Sequence, residues 1–345
     1  MTRRFRVKNI WLGGGAPVTV QSMTNTRTAD FDATYAQVKR LHQAGADIVR
    51  VTLNTADAVP AFAELCRVSP VPIVADIHYD HRLALAAVEA GAHKIRLNPG
   101  NLRDEIYLRQ VIEACMAYDI GVRIGVNGGS LPAEAQGDTL AEKMAWSALE
   151  QARAFLQYGF EDVCLSVKSS DVAETYSAYR ILHERCDFPL HLGVTEAGGG
   201  ALALAKSQAC IGGLLLDGIG DTIRVSLSAD PVEEVKAGID LLRAVGLRRD
   251  FVNVVSCPTC GRTTYDVIGV SAALRDLTKD IHKSLTVAVM GCVVNGIGEG
   301  KEADLGVAGG EERSVLFVKG VKVGVVDNAE VLPTLMRYIE EITNG

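Results

Sequence analysis

Aromatic residues make up only 6% of this 345-residue chain, and no apolar run is long enough to cross a membrane. An excess of positive charge is also missing. The formal net charge is −7, which argues against general nucleic-acid binding, because nucleic acids attract a basic surface. The first residues, 1–8, are basic but contain no apolar signal core. The sequence therefore predicts a cytoplasmic protein.

Disulfides are not expected in such a chain, so its eight cysteines are predicted to be reduced thiols or metal ligands. Five of them lie in apolar periodic segments and are predicted to fill the core: Cys66, Cys115, Cys164, Cys186 and Cys210. The other three stand in two motifs near the C-terminus, Cys257-Pro-Thr-Cys260 and Gly291-Cys-Val-Val-Asn-Gly-Ile-Gly-Glu299. Cys257, Cys260 and Cys292 can hold three corners of a metal centre.

Several common cysteine sites lack a required part here. A haem attachment needs a histidine directly after the second cysteine, but Gly261 stands there. A structural zinc site normally takes four Cys or His ligands, so His282 would have to join the three thiols. A redox dithiol of the thioredoxin type should follow an early strand, whereas Cys257 opens a C-terminal segment. Both the zinc and the dithiol interpretations stay open as alternatives.

Glu299 is the remaining candidate ligand, and a carboxylate suits iron–sulfur clusters and zinc poorly. Three soft ligands with one labile ligand favour catalysis at the metal over a structural role. Glycines around Cys292 allow the backbone to approach inorganic sulfide and to donate N–H groups to it: Gly291, Gly296, Gly298 and Gly300. The motif therefore favours a cluster.

Residues 18–246 alternate short apolar strands with amphipathic helices, in eight repeats. The predicted strands are 18–23, 47–53, 71–77, 93–98, 121–127, 163–169, 190–196 and either 214–217 or 222–227. The predicted helices are 32–45, 56–68, 80–91, 104–119, 138–159, 171–184, 198–212 and 231–245. This pattern predicts a (β/α)8 TIM-type barrel over residues 1–246, with a doubly wound open sheet as the alternative.

Smaller features of the repeats are also predicted. Gly45, Gly91 and Gly159 are expected to end helices in the left-handed conformation. Four aspartates near helix starts are expected to act as N-caps: Asp32, Asp138, Asp171 and Asp230. Residues 251–345 are predicted to form a smaller α+β iron–sulfur domain with a strand pair at 315–318 and 321–326 and a final helix at 328–342.

Charged and polar residues stand at the predicted carboxyl ends of the barrel strands, where TIM barrels carry their chemistry. They are Arg50, Asp76, His78, Arg96, Asn98, Arg123, Asn127, Lys168, Thr195, Glu196, Arg224 and Ser226. The five cations come from five repeats and should converge, and two carboxylates cannot neutralise them all. Because guanidinium groups match phosphate geometry, a small diphosphate or polyphosphate is the predicted ligand.

Motifs in both parts of the chain resemble the bacterial 4-hydroxy-3-methylbut-2-enyl diphosphate synthases. Besides the two cysteine motifs they are Ala75-Asp-Ile-His78, Lys94-Ile-Arg-Leu-Asn-Pro-Gly-Asn101, Arg123-Ile-Gly-Val-Asn-Gly-Gly-Ser-Leu131, Ser166-Val-Lys-Ser-Ser-Asp171, His191-Leu-Gly-Val-Thr-Glu-Ala-Gly198 and Gly218-Ile-Gly-Asp-Thr-Ile-Arg-Val-Ser-Leu227. The chain departs from the family at Ile297, usually proline, and at Gly300, usually alanine. Both flank Glu299, and neither removes a ligand.

The resemblance implies the penultimate step of the non-mevalonate isoprenoid pathway. In that step a cyclic methylerythritol diphosphate is opened and reductively dehydroxylated to a hydroxymethylbutenyl diphosphate. The resemblance also implies a 4Fe-4S cluster held by Cys257, Cys260, Cys292 and Glu299, with electrons from ferredoxin or flavodoxin. On this interpretation the five cations and Ser226 bind the diphosphate, and Glu196 orients or protonates the departing oxygen. The other polar strand-end residues complete the lining.

Chain geometry predicts a homodimer with a shared active site. Each barrel helix runs antiparallel to its strand, so helix 231–245 ends far from the strand ends that carry the cations. The linker at 247–250 spans at most about 14 Å. A head-to-tail homodimer, in which the small domain of one chain caps the barrel of the other, is therefore expected.

Two alternatives come from other functional classes. One is a redox enzyme related to sulfite or nitrite reductase, which would need sirohaem. The other is a non-catalytic phosphate-ligand binder with a structural zinc.

Overall fold

A computed structural model describes residues 1–78, 80–98, 104–299 and 301–344, without the side chains of residues 295, 297 and 299. The chain divides into two compact units, Met1–Leu247 and Arg248–Gly345. No helix within the described ranges combines the length and the apolar character that a membrane crossing requires. The functions predicted for the two parts stay predictions.

An N-terminal hairpin precedes the repeats, and the sequence did not predict it. Strands β1 (Arg4–Val7) and β2 (Ile10–Gly13) pair antiparallel through a turn at Lys8, whose φ is 55°. Phe5, Val7 and Leu12 are buried against Ile48, Val74 and Cys164 of the barrel. A Cβ at Gly121 would lie 2.3 Å from Phe5 Cε2. Because the barrel residues involved stand near the amino ends of their strands, the hairpin closes the end of the barrel opposite the carboxyl ends.

Eight parallel strands form the barrel: β3 (Thr19–Met23), β4 (Ile48–Thr52), β5 (Ile73–Asp76), β6 (Lys94–Leu97), β7 (Gly121–Asn127), β8 (Val163–Lys168), β9 (His191–Leu192) and β10 (Thr222–Ile223). Their order is β8-β7-β6-β5-β4-β3-β10-β9, and a parallel bridge between Leu165 and Leu190 joins the two ends. The sheet therefore closes nearly completely, and the predicted (β/α)8 fold class is confirmed.

Eight helices surround these strands: α1 (Phe31–Gln43), α2 (Val59–Val68), α3 (His81–Glu89), α4 (Glu105–Ala117), α5 (Leu140–Gln157), α6 (Val172–Arg185), α7 (Gly200–Leu216) and α8 (Pro231–Ala244). Leu214, Leu215 and Leu216 belong to α7, so the prediction of a strand at 214–217 is wrong, while the other option, 222–227, contains β10. A three-leucine run fits a buried helix end as well as a strand, and sequence alone does not separate the two.

Helix ends follow the expected chemistry with two exceptions. Asp171 and Asp230 accept N–H bonds as N-caps of α6 and α8, and Gly45, Gly91 and Gly159 have positive φ. Caps at Asp32 and Asp138 were wrong. Asp30 caps α1, and Thr139 forms a capping box with Glu142 at the start of α5. In both cases a better-placed neighbour offers the oxygen that the free backbone N–H groups require.

The second unit contains β11 (Val252–Ser256), α9 (Val267–Leu277), β12 (Leu285–Met290), α10 (Val293–Glu299), β13 (Leu305–Ala308), β14 (Arg313–Val318), β15 (Val321–Asp327) and α11 (Val331–Asn344). Strands β11 to β13 are parallel, and β13 to β15 are antiparallel. The predicted strand pair and final helix are confirmed with shifted bounds. The parallel strands β11 to β13 were not predicted. Their core includes Val287, Val307 and Leu335.

Candidate active site

A cleft of about 520 Å³, counting the space at its open side, lies at the carboxyl ends of the barrel strands. Its lining is strongly polar: Arg50, Asp76, His78, Arg96, Arg123, Gly125, Asn127, Ser166, Lys168, Val194, Thr195, Arg224 and Ser226. Parallel strands bring these positions together because all of their carboxyl ends meet at one rim. Ten of the twelve barrel residues predicted from the sequence therefore surround one cavity.

The remaining two, Asn98 and Glu196, do not contribute to this lining within the described residues. Asn98 directly follows β6 and adjoins residues 99–103, so part of its predicted motif lies outside the described residues. Glu196 is exposed and has a φ of 54°, next to Thr195, which does line the cleft. Its proposed role stays a prediction.

Asp76 is the buried acid of the cleft, with 2% of its surface exposed. Its carboxylate lies 3.4 Å from Arg96 Nη1, 3.9 Å from Arg50 Nε and 3.2 Å from His78 Nε2. Burial alone would raise the pKa of Asp76, but Arg50, the hydrogen bond from His78 and Arg96 together hold this pKa well below its ordinary value. Asp76 is therefore a fixed negative charge that positions its neighbours.

Arg224 has a carboxylate partner that the sequence did not reveal. Its Nη2 lies 3.2 Å from Oε2 of Glu234, a buried residue in the first turn of α8. Oε1 of the same side chain accepts the N–H of Leu227 at 2.9 Å. The position of Glu234 four residues after the Asp230 cap was a usable signal, because the first turn of the eighth barrel helix packs near its strand end.

Arg123, Lys168 and Arg96 lie close together at the cleft, where burial and mutual repulsion oppose their positive charge. Burial, and then Arg96, lowers the pKa of Arg123 to about 10. Burial, and then Arg123, lowers the pKa of Lys168 well below its ordinary value. Among the described residues, Arg123 Nε, Arg123 Nη1 and Arg96 Nε are buried without a hydrogen-bond partner. Buried cationic donors without partners are costly, so the cleft favours an anion.

Two glycines make room for these cations. A Cβ at Gly125 would lie 2.8 Å from Arg96 Nε, and a Cβ at Gly193 would lie 2.4 Å from Lys168 Nζ. Neither glycine was singled out from the sequence as a site residue. The sequence analysis also did not single out Lys94 and His191, which are both fully buried. Burial first, and nearby cations next, lower the pKa of each side chain. Each is the first residue of its strand, whereas the prediction considered the carboxyl ends of the strands.

In the second unit, two of the predicted thiol ligands follow neighbouring parallel strands. Cys257 follows β11 and Cys292 follows β12, and Ser256 pairs with Val289 in the ladder between them. Cys257 Sγ accepts the N–H of Gly291 at 3.2 Å. The two cysteines therefore share one edge of the sheet, and a backbone N–H already points at one sulfur.

Cys260 is exposed on the loop after β11. The next loop residues are tied to the same sheet edge, since the backbone N–H and the hydroxyl of Thr264 both donate to Gly291 O, at 3.1 and 3.2 Å. A Cβ at Gly309 would lie 2.7 Å from Gly291 O, so the close packing here requires glycine.

The fit of this edge to a metal cluster rests on its donor chemistry and on one orphaned atom. Tyr265 Oη is buried without a hydrogen-bond partner among the described residues. Burial first, and then Cys257, raises the pKa of this hydroxyl. No three His, Cys, Asp or Glu side chains of the described residues stand together as a metal site. The side chain of Glu299, the predicted fourth ligand, and Gly300 lie outside the described residues. Three thiols, the glycine-lined edge and the orphaned hydroxyl fit an iron–sulfur centre.

A nearly closed parallel barrel with a cation-lined cleft, followed by a unit with thiols at its strand ends, defines a TIM-barrel protein with an additional α/β domain. The chain belongs to the GcpE family. The GcpE TIM-barrel domain matches residues 2–239, and the GcpE protein C-terminal domain matches residues 253–341. The family expected from the sequence motifs is thereby confirmed.

Relatives named 4-hydroxy-3-methylbut-2-en-1-yl diphosphate synthase (flavodoxin) are similar over nearly the whole chain. The protein from Acidithiobacillus ferrooxidans is 47% identical, covering 98% of this chain and 93% of its own. The protein from Caldanaerobacter subterraneus is 46% identical, covering 99% of this chain and 97% of its own.

Solved structures of dihydropteroate synthase resemble the barrel. The Yersinia pestis structure has a TM-score of 0.52 at 16% identity, covering 71% of this chain and 98% of its own. The Xanthomonas albilineans structure has a TM-score of 0.53 at 15% identity, covering 71% and 97%. At such identities the likeness shows the barrel fold alone.

Proposed function

We propose that this chain is an oxidoreductase that converts 2-C-methyl-D-erythritol 2,4-cyclodiphosphate into 4-hydroxy-3-methylbut-2-en-1-yl diphosphate, in isoprenoid biosynthesis. The observation that carries the proposal is the convergence of five cations on one cleft, in a chain 47% identical to a synthase of that diphosphate. A diphosphate supplies anionic oxygens that can accept hydrogen bonds from these cationic donors. The sulfite reductase-like and zinc-binding alternatives have no comparable support.

The barrel residues bind and orient the substrate. The diphosphate is held by Arg50, Arg96, Arg123, Lys168, Arg224 and Ser226. Asp76 and Glu234 do not face the diphosphate as ligands; each fixes the guanidinium groups beside it. His78, Asn98, Asn127 and Thr195 complete the polar surroundings of the substrate.

A 4Fe-4S cluster at the second unit is the proposed cofactor, with Cys257, Cys260, Cys292 and Glu299 as its ligands. When bound, it supplies electrons one at a time and a Lewis-acidic iron at the carboxylate corner. Over the whole reaction two electrons and one proton enter. The ring C–O bond breaks to free one phosphate end, and the hydroxyl leaves as water. Glu196 orients or protonates that hydroxyl oxygen.

Flavodoxin is the proposed electron donor, because the relatives carry it in their names. Ferredoxin, the other donor expected from the resemblance, is the alternative. A comparison of turnover rates with each reduced carrier decides between them.

A homodimer with a shared active site is the proposed assembly. Helix α8 has 14 residues, and about 21 Å of helix carries the chain from the cleft side of the barrel to the opposite end. The division between the two units falls after Leu247, and β11 begins at Val252, only five residues later. The cleft of one chain is therefore served by the second unit of its partner, and two such contacts close a two-fold dimer.

Metal analysis of anaerobically purified protein tests the proposed cofactor. Iron and acid-labile sulfide should be present in equal amounts, with zinc near background and no sirohaem absorbance. Zinc without sulfide would support the phosphate-binding alternative, and sirohaem absorbance would support the sulfite reductase-like alternative. Either result contradicts the proposal.

A further inference from the structure

The hydroxyl of Tyr265 stands out in the second unit as a buried donor without a partner. Tyr265 Oη has no hydrogen-bond partner within the described residues. The ring packs beside the main core of that unit, where a phenylalanine would pack equally well. A buried hydroxyl without a partner costs free energy, so an acceptor other than the described residues is expected beside it.

Contacts of Tyr265 and of its neighbour Thr264 hold this residue next to the sheet edge that carries the thiols. Thr264 is tied to Gly291 O by two hydrogen bonds, and the backbone O of Tyr265 accepts the N–H of Val267 at 2.9 Å. A Cβ on Gly309 would lie 2.6 Å from Tyr265 Cδ1, so the ring lies flush against the backbone after β13. The ring therefore has little freedom to move its hydroxyl elsewhere.

Gly291 connects the Tyr265 ring to Cys257: a Cβ at Gly309 would lie 2.6 Å from Tyr265 Cδ1 and 2.7 Å from Gly291 O, and the backbone N–H of Gly291 donates to Cys257 Sγ. Burial first, and then Cys257, raises the pKa of Tyr265. A phenol hydroxyl is in any case protonated near neutral pH, so it can donate a hydrogen bond. Cys257 Sγ already accepts one N–H, from Gly291.

Hydrogen bonds to the sulfurs of an iron–sulfur centre stabilise the reduced, more negative state and raise the reduction potential. We propose that the Tyr265 hydroxyl donates a hydrogen bond to a cluster sulfur at the Cys257 corner and thereby makes the centre easier to reduce. This inference rests on the proposed function, since it requires a cluster at these thiols. Tyr265 is a positioning residue, because it acts on the potential and does not contact the substrate.

Tyr265→Phe is the direct test, because it removes only the hydroxyl. The full-length protein is purified anaerobically and titrated electrochemically, with the reduced state followed by EPR. The midpoint potential of the variant should become more negative, by up to a tenfold change in the reduction equilibrium, which corresponds to about 59 mV for one electron. Tyr338→Phe is the matched control, since Tyr338 packs on the same core from α11 and should leave the potential unchanged.

A second measurement covers the case in which Tyr265→Phe binds less iron. Pulsed EPR of the reduced wild-type protein, in H2O and in D2O, should detect an exchangeable proton coupled to the centre. The same signal should be absent from the part of the Tyr265→Phe protein that retains the centre. An unchanged potential together with an unchanged proton coupling overturns the inference. Absence of iron and sulfide from the wild-type protein would instead overturn the proposed function, so the two failures are distinguishable.

Discussion

Arg224 and Glu234 form an ion pair across the cleft wall, with Arg224 Nη2 3.2 Å from Glu234 Oε2. The arginine comes from the segment after β10, and the glutamate comes from the first turn of α8. Only 5% of the Glu234 side chain and 16% of the Arg224 side chain is exposed. Glu234 therefore orients the Arg224 side chain without itself lining the cleft.

Replacing Glu234 with alanine should destabilise the fold and disorient Arg224. Loss of one partner from a buried ion pair costs about 3 kcal/mol in the free energy of unfolding. Glu234→Gln should lose less, because its amide oxygen still accepts the N–H of Leu227. Denaturant unfolding measures both variants. Glu233→Ala is the control in the same helical turn: its exposed pair with Lys236 should contribute less than about 1 kcal/mol, and an equal loss there would refute the assignment.

The depressed pKa of Asp76 predicts a specific pH dependence of stability. Because the folded-state pKa lies below the unfolded value of about 3.9, Asp76 contributes stability above that pH. The contribution should begin to fall as the pH drops below about 4, and it is lost completely only as the pH passes through the folded-state pKa. Asp76→Asn should therefore be less stable than the wild type at pH 7, by about 3–5 kcal/mol, and the difference should narrow toward pH 3. Urea unfolding across this range measures it, and a constant difference would contradict the account.

Arg96→Ala should weaken anion binding without disturbing the second unit. Loss of one charged hydrogen bond is worth about 1.5–3 kcal/mol, or roughly a ten- to hundredfold rise in Kd. Calorimetry with inorganic diphosphate measures this without turnover. Arg67→Ala is the control, since that side chain is 70% exposed and pairs only with Glu64 among the described ion pairs. Equal affinities in the two variants would remove Arg96 from the binding site.

Much of the cleft was predictable from the sequence because the TIM-barrel topology places every strand end on one rim. Arg50, Arg96 and Arg123 are each the third residue of their strand, so their convergence required no knowledge of side-chain contacts. Glu234 was not predicted because it stands in the first turn of α8, and the prediction used only residues at the strand ends. Lys94 and His191 escaped because they look like ordinary strand residues.

The N-terminal hairpin and the parallel strands of the second unit were harder to predict. Phe5 and Val7 alternate with arginines over only four residues, a signal too short to distinguish a strand from a loop. The contact between Phe5 and the backbone at Gly121 is long-range, and neither segment alone indicates it. In the second unit, β13 has four residues and includes Gly306, which weakens a strand pattern.

A mixed dimer tests the shared active site. The Cys292→Ser and Arg123→Ala proteins should each be inactive, since one lacks a proposed thiol ligand and the other lacks a proposed diphosphate contact. Subunit exchange between them should restore activity, because one site then combines an intact cleft with an intact second unit. The activity of the mixture is measured after exchange has been demonstrated with differently tagged chains. No recovery, or a fully active monomer, contradicts the shared site.

Conversion of the cyclic diphosphate by the iron-loaded protein with reduced flavodoxin tests the central claim most directly. Phosphorus NMR should show the cyclic diphosphate disappearing as an acyclic diphosphate forms. Cys292→Ser should lose both iron and conversion, whereas Arg123→Ala should keep its iron and lose most conversion. Cys186→Ser, a partly buried thiol of the barrel unit, should behave as the wild type. No conversion by wild-type protein with full iron and sulfide, or wild-type conversion by Cys292→Ser, would contradict the account.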